Sequence, residues 1–299
     1  MPELPEVEVV RETLDRELRQ RTIRRARIRR RDIVLNLSSA RDLARRLEGQ
    51  RIHAVERRGK NLAFRFEGGR VLQSQLRMTG RFALGRERPD RVRYRHIVAE
   101  FDLDDGRTLY YDDMRRLGGF RWLEKEEWEA VAGALGPEPL DRRFTARDLA
   151  STLAGSRAPV KNALLDQRRI AGIGNIYASE ALFRARIHPA RSAASLTGTE
   201  VAALHRSVRR VLREALRSAG TTLRDFRAVN GRSGRFQQRL AVYGRQGAPC
   251  RRCGGAIERI VQAGRSTFFC PTCQVPTHEK RRAAASAARR RSRDASRGR

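Results

Sequence analysis

The residues of this chain best suited to covalent chemistry come first: Met1-Pro2-Glu3-Leu4-Pro5-Glu6-Val7-Glu8. An initiator methionine ahead of a small residue is ordinarily removed, which leaves the secondary amine of Pro2 as the N-terminus. An α-amino group has an ordinary pKa of about 7.7–8.0, so much of it is neutral and nucleophilic near pH 7, where a lysine amine must be strongly perturbed. Attack of that amine on a sugar C1′ gives an iminium, which acidifies the C2′ proton and invites elimination. Base removal and strand nicking then share one nucleophile. Glu3 stands beside the amine as an acid/base, with Glu6 and Glu8 close behind. All three carboxylates equally suit the first turn of a helix, where they complement the dipole without doing chemistry.

A second constellation is Cys250-x2-Cys253-x16-Cys270-x2-Cys273, which holds all four cysteines of the chain. In a reducing compartment two pairs at this spacing read as a tetrahedral four-thiolate site for one structural zinc ion, and in an oxidising one as two disulfides. A third is Gly172-Ile173-Gly174-Asn175, a glycine turn ahead of a helical stretch. Backbone amides at such a turn can approach a phosphate, with Asn175 as a side-chain donor. The stretch lacks the third glycine and the preceding strand of a dinucleotide fingerprint, so no nucleotide cofactor is expected.

The elements that must position these groups follow from periodicity. Val7, Val10, Leu14 and Leu18 define one face of a helix with Pro5 in its first turn, so the helix carries its own N-terminus to the site. Leu62, Phe64 and Phe66 alternate before Gly68-Gly69, and Ile97, Ala99, Phe101 and Leu103 alternate before Asp105-Gly106, which predicts antiparallel hairpins. A short helix with Ser38 or Ser39 as cap and Leu43 and Leu47 on its apolar face interrupts them. Residues 1–125 thus read as a β-rich domain, a β-sandwich flanked by helices, and residues 126–143 as its connection onward, with a helix near 124–135 followed by Pro137-Glu138-Pro139. Residues 144–220 read as helical, with capping boxes at Thr145/Asp148 and Thr197/Glu200. The arginine-lined helix that ends this stretch presents either a phosphate contact or a solvated face. Residues 221–239 read as a long loop able to close over a ligand, 240–274 as a cysteine hairpin, and 275–299 as a basic disordered tail.

Composition narrows the partner. Lys plus Arg number 65 against 34 Asp plus Glu, a formal charge of +31. The arginines recur along the whole chain, which points to a polyanion and, with few aromatics for stacking, to duplex phosphates. No stretch is long and apolar enough for a membrane span, and the acidic start is unlike a signal peptide, so a cytoplasmic, nucleoid-associated bacterial protein is expected.

Taken together, the opening octapeptide, Arg57-Arg58-Gly59-Lys60, the stretch Gly172-Ile173-Gly174-Asn175-Ile176-Tyr177-Ala178-Ser179-Glu180, Val242-Tyr243-Gly244-Arg245 and the four cysteines resemble the formamidopyrimidine-DNA glycosylase/endonuclease VIII family. The resemblance implies an α+β multidomain fold: an N-terminal β-sandwich, a helix-two-turns-helix domain and a C-terminal four-cysteine zinc finger, with damaged duplex DNA in the cleft between domains. It implies a monomeric bifunctional glycosylase and abasic-site lyase that excises oxidised bases and nicks by β- and δ-elimination. Pro2 is then the Schiff-base nucleophile, Glu3 its acid/base, Glu6 a support, and Lys60 and Arg265 the cations that meet phosphates around the lesion. Lys161 and Asn175 match phosphate contacts, and Met78, Arg115 and Leu117 match the side chains that fill the stack vacated by a flipped base.

The chain departs from the formamidopyrimidine branch at Gln75, Arg77 and Thr79, where His, Gly and Ser are usual, and at Leu117, where Phe is usual. Leu4 in the opening motif leans toward oxidised purines over the pyrimidines of the endonuclease VIII branch. The alternative from another class is a noncatalytic zinc-finger protein that binds damaged or abasic DNA.

Overall fold

In the computed structural model, which describes residues 1–90, 92, 94–222, 229 and 233–276, the first helix is α1 (Leu4–Leu18). Its predicted apolar face, Val7, Val10, Leu14 and Leu18, is wholly buried, so α1 is anchored by a continuous stripe against the sandwich that follows. Next come β1 (Ile23–Ile28), α2 (Ala40–Leu47), β2 (Ile52–Arg58), β3 (Asn61–Phe66), β4 (Val71–Gln75), β5 (Arg81–Gly85), β6 (Ile97–Leu103), β7 (Thr108–Asp112) and β8 (Gly119–Leu123). Ser39 caps α2 by accepting the Asp42 N–H.

The strands form two antiparallel four-stranded sheets, β1-β6-β7-β5 and β2-β3-β4-β8. Alternate residues of each sheet face the other: Phe82, Phe101 and Tyr111 of the first meet Phe64, Leu72 and Phe120 of the second in one core. The Tyr111 and Phe120 rings lie edge to face with centroids 4.9 Å apart, a geometry favoured by their quadrupoles. β3 is buried on its other face as well, because Trp128 of α3 (Lys125–Gly133) packs there against Ala63, Val71 and Leu123.

That packing changes the expected boundaries. Residues 126–143 are not a plain connection: α3 is part of the sandwich unit, which runs to Asp141 and also takes in Gln167–Ile173 and Leu212–Arg239. An apolar outer sheet face needs a cover, and Trp128 supplies it. The loop expected at 221–239 belongs to the same unit where described, with Phe236 buried and its N–H bonded to the Gly220 carbonyl. Residues 223–228 and 230–232, on which the lesion-closing expectation rests, lie outside the described residues.

The second unit comprises Arg142–Asp166, Gly174–Val211 and the chain from Leu240. It holds α4 (Ala146–Leu153), α5 (Val160–Leu165), α6 (Asn175–Ala185) and most of α7 (Gly198–Arg217), then the hairpin β9 (Glu258–Gln262) and β10 (Arg265–Phe269). Both expected capping boxes are present, Thr145 with Asp148 and Thr197 with Glu200. Phe183, Val242, Ile257, Cys250 and Cys270 form a small core beneath the cysteine hairpin. The tail from Thr277 onward lies outside the described residues. No helix among the described residues is long and apolar enough to cross a membrane.

Candidate active site and DNA-contacting elements

Pro2 is buried one residue ahead of the α1 N-cap, Glu3, while Met1 is exposed. The Glu3 N–H donates to Glu6 Oε2 at 2.9 Å, and the Thr221 N–H donates to Glu6 Oε1 at 2.7 Å. Glu6 is 2 % exposed, so one buried carboxylate ties the start of α1 to the segment after α7 with two charge-assisted bonds. Gly220 has φ +81°, and a Cβ there would stand 2.9 Å from Glu6 Oε1. Glu6 is thus a clamp on the backbone at the start of α1.

Gly172 does a similar job. The Leu4 N–H donates to the Gly172 carbonyl at 3.0 Å, and a Cβ on Gly172, at φ +84°, would lie 2.7 Å from Leu4 Cβ. The Gln167 side chain accepts from the Gly172 N–H and donates to the Ile173 carbonyl, each at 2.9 Å. The first glycine of the Gly-Ile-Gly-Asn turn therefore lets the backbone approach α1.

Lys60 sits half-buried in the two-residue turn between β2 and β3, next to Gly59 at φ +59°. A Cβ on Gly59 would be 3.3 Å from Leu135 and 3.6 Å from the Gly172 amide, so this turn packs on the same loop that holds Leu4. Glu138 locks it in place, accepting the Gly59 N–H at 2.6 Å and pairing with Arg57 and Arg58. Burial by itself would raise the Glu138 pKa, but the Arg57 charge and the hydrogen bonds from Arg57, Gly59 and Arg58 together outweigh it and hold the carboxyl below its ordinary range. Glu138 stands between two prolines, which marked the segment as a mere connection.

Met78 and Leu117 are 44 % and 49 % exposed, in the β4–β5 and β7–β8 loops. Neither is a core residue. Each follows an arginine in the left-handed region, Arg77 at φ 51° and Arg116 at φ 50°, which explains why glycine suits position 77. Arg115 Nη1 lies 3.2 Å from Met78 Sδ. The other departing residues are engaged: Gln75 donates to Asn61 Oδ1 at 2.6 Å, and Thr79 donates to the Asp113 carboxylate. Met114, which sequence reasoning passed over, is as exposed as its neighbours.

In the second unit Asn175 opens α6, and its Nδ2 donates to the Ser266 carbonyl at 2.9 Å. Lys161 has no exposure; its Nζ donates to the same carbonyl at 3.1 Å and to Thr267 Oγ1. An ammonium can be buried when acceptors surround it, so Lys161 is turned inward where a phosphate contact was expected. Both side chains grip the residue after Arg265, which is exposed at the head of β10 behind the tight turn Ala263-Gly264. Glu180, also fully buried, accepts the N–H groups of Ala241, Val242 and Tyr243 at 2.9–3.0 Å, which joins the two motif stretches around 175 and 243.

The four cysteine sulfurs lie within 4.8 Å of one another, with Cys253–Cys270 at 3.5 Å and Cys250–Cys273 at 4.0 Å, and none is in a disulfide. Sulfurs about 2.3 Å from a tetrahedral zinc would stand ~3.8 Å apart, so the set fits one zinc ion with every position filled by protein.

Residues 1–120 match the formamidopyrimidine-DNA glycosylase N-terminal domain, 135–227 its H2TH domain, and 247–275 the zinc finger found in FPG and IleRS. The formamidopyrimidine-DNA glycosylase of Chloroflexus aurantiacus is 44 % identical over 92 % of this chain and 98 % of its own. The crystal structure of MutM (FPG) from Thermus thermophilus is 45 % identical with a TM-score of 0.81, covering 91 % of this chain and 98 % of that one. Lactococcus lactis Fpg, in complex with DNA containing an abasic site, is 34 % identical with a TM-score of 0.84, covering 92 % and 100 %. The chain belongs to the formamidopyrimidine-DNA glycosylase family, enzymes of base excision repair with abasic-site lyase activity.

Proposed function

We propose that this chain excises oxidised purines, 8-oxoguanine and formamidopyrimidines, from damaged duplex DNA through a Schiff base on Pro2. The observation that carries the reading is the seating of the N-terminus: Glu6 and Gly172 fix the two residues that follow Pro2 on buried, hydrogen-bonded backbone. The Glu3–Glu6 bond alone is an ordinary capping box; the second bond of Glu6 to Thr221 and the bond of Leu4 to Gly172 go beyond what a helix start needs. Once Met1 is removed, the Pro2 nitrogen attacks C1′ and the C1′–base bond breaks with its electron pair leaving on the base. Glu3, the adjacent N-cap carboxylate, handles the proton that this exchange requires. The C1′–O4′ bond then opens with a proton delivered to O4′, and the nitrogen lone pair completes the iminium; loss of its C2′ proton expels the 3′ phosphate, and a second elimination expels the 5′ phosphate.

The remaining residues bind and orient. Lys60 and Arg265 meet the phosphates flanking the flipped nucleotide, Asn175 supports the Arg265 turn at a helix N-terminus, and Met78, Arg115 and Leu117 enter the vacated stack. Zinc, closed in by four thiolates, stabilises the hairpin that presents Arg265 and activates no water. Complexes of Lactococcus lactis Fpg with Fapy-dG DNA and of MutM with carbocyclic 8-oxo-G DNA support the purine lesion class, and a complex of the Lactococcus protein with an oxidised pyrimidine makes lesion preference a matter for direct comparison of substrates. The proposed activity is that of a monomer acting on chromosomal DNA in the cytoplasm.

Borohydride reduction of a mixture with abasic-site DNA tests this directly, since it freezes an imine as a stable amine. Protein processed to Pro2 should be trapped covalently, and protein with an unprocessed extension should not, because its proline nitrogen is an amide. Equal trapping of both would move the nucleophile elsewhere, and no trapping of either would favour a noncatalytic DNA binder.

A further inference from the structure

Three exposed apolar side chains, Met78, Met114 and Leu117, stand together with Arg115 on two loops of the sandwich unit. Exposed apolar groups gathered on a surface mark an interaction site, and beneath these lies a buried hydrogen-bond frame. Asp113 opens the second loop and has no exposure. Its Oδ2 accepts the Gly118 N–H at 2.8 Å, closing that loop across Leu117, and its Oδ1 accepts the Thr79 hydroxyl from the first loop, directly beside Met78. The Thr79 oxygen in turn accepts the Arg115 N–H at 3.1 Å. Two loops of separate hairpins are thus joined through one carboxylate and one hydroxyl.

The floor of this frame is equally filled. A Cβ on either Gly80 or Gly118 would run into the Tyr111 hydroxyl, so both loops rest on that ring. Burial, then the nearby Asp113 charge, pushes the Tyr111 phenol well above its ordinary value, so it stays protonated beside the carboxylate. The Asp113 N–H itself donates to the His96 carbonyl at 3.0 Å, which roots the carboxylate in a neighbouring strand connection.

We propose that Asp113 and Thr79 are positioning residues for base extrusion: their hydrogen bonds fix the loop of Met78 to the loop of Leu117 so that both side chains enter the duplex on one rigid frame. This rests on the assignment of Met78, Arg115 and Leu117 to the vacated stack. Neither positioning residue touches DNA. Thr79, where a serine is usual, keeps the hydroxyl the frame needs, and its extra methyl is buried with it.

The test compares a duplex with an oxidised purine against a single-stranded oligonucleotide with a preformed abasic site, which has no stack to fill. Thr79→Val keeps the shape and removes the hydroxyl, leaving one Asp113 oxygen and the Arg115 N–H without partners. Excision from the duplex should fall by about tenfold or more, as for loss of a hydrogen bond to a charged acceptor, and so should the unstacking signal of a 2-aminopurine beside the lesion. Borohydride trapping on the single strand should stay within about twofold, because C1′ chemistry is untouched. Thr79→Ser should restore duplex excision, and Asp113→Asn should show the same split as Thr79→Val. Duplex excision by Thr79→Val at the parent rate, or an equal fall on both substrates, overturns the proposal. Failure of the parent protein to trap a preformed abasic site in either a single strand or a duplex would overturn the Pro2 assignment instead, a separate result.

Discussion

Replacing Gly172 with alanine should separate stability from seating of the nucleophile. At φ +84° an alanine costs about 1–2 kcal/mol, partly offset by up to ~1 kcal/mol from a stiffer unfolded chain. The new Cβ would also lie 2.7–3.1 Å from three atoms of Leu4, which is fully buried and cannot swing aside. Relieving that contact means moving the start of α1, an overpacking cost of roughly 1–3 kcal/mol. The net destabilisation expected is about 2–4 kcal/mol. Gly68 provides the control, with the same φ of +84° and nothing within 4 Å of the methyl that alanine would add, so Gly68→Ala should cost only the backbone part, about 1 kcal/mol. Urea titration followed by tryptophan fluorescence reads the right unit, since both tryptophans, Trp122 and Trp128, are in the sandwich and its covering helix. Displacing a nucleophile by a fraction of an ångström to an ångström costs up to ~10² in rate, so single-turnover trapping of an abasic site should slow by tenfold or more for Gly172→Ala and not for Gly68→Ala. If Gly172→Ala is no less stable than Gly68→Ala and traps at the parent rate, the close approach of Gly172 to Leu4 does not position the amine.

Glu3→Gln should lower excision of an intact lesion by about 10²–10⁴, the usual range for lost acid/base help, while still nicking a ready-made abasic site; equal loss on both substrates would show that Glu3 does not act in base release. Glu200→Gln should weaken folding in a pH-dependent way, because Arg191, donating from both terminal nitrogens, lowers the Glu200 pKa from 4.5 to about 2 against the opposing effect of burial. A carboxyl depressed in the folded state contributes fully above its ordinary pKa and loses that contribution as pH falls toward the folded value. The penalty of Glu200→Gln should therefore be about 1–3 kcal/mol near pH 7 and shrink progressively below pH 4.5, as followed by circular dichroism in denaturant; a penalty constant across this range would refute the ion pair as its source.

The sequence by itself determined the elements whose signals are local. The helical period of Val7, Val10, Leu14 and Leu18, the alternation of Leu62, Phe64 and Phe66, the Ser39 cap and the boxes at Thr145 and Thr197 are each decided by residues within one or two turns of each other, and each is present where expected. Spacing of two residues within each cysteine pair likewise forces the sulfurs of a pair together, so the metal site was legible before any fold. Only the tertiary structure decided what the buried charges do. Glu6, Glu138 and Glu180 look alike in sequence, yet one accepts the Thr221 amide 215 positions away, one the Gly59 amide, and one three amides of the segment after Leu240. Asp113 and Thr79 come together from different hairpins, and Lys161 is drawn inside by the Ser266 carbonyl and not left at the surface. A carboxylate or ammonium carries no mark of its partner in the chain, because the partner is supplied by strand pairing and packing from 34 to 215 residues away, and burial makes that partner obligatory.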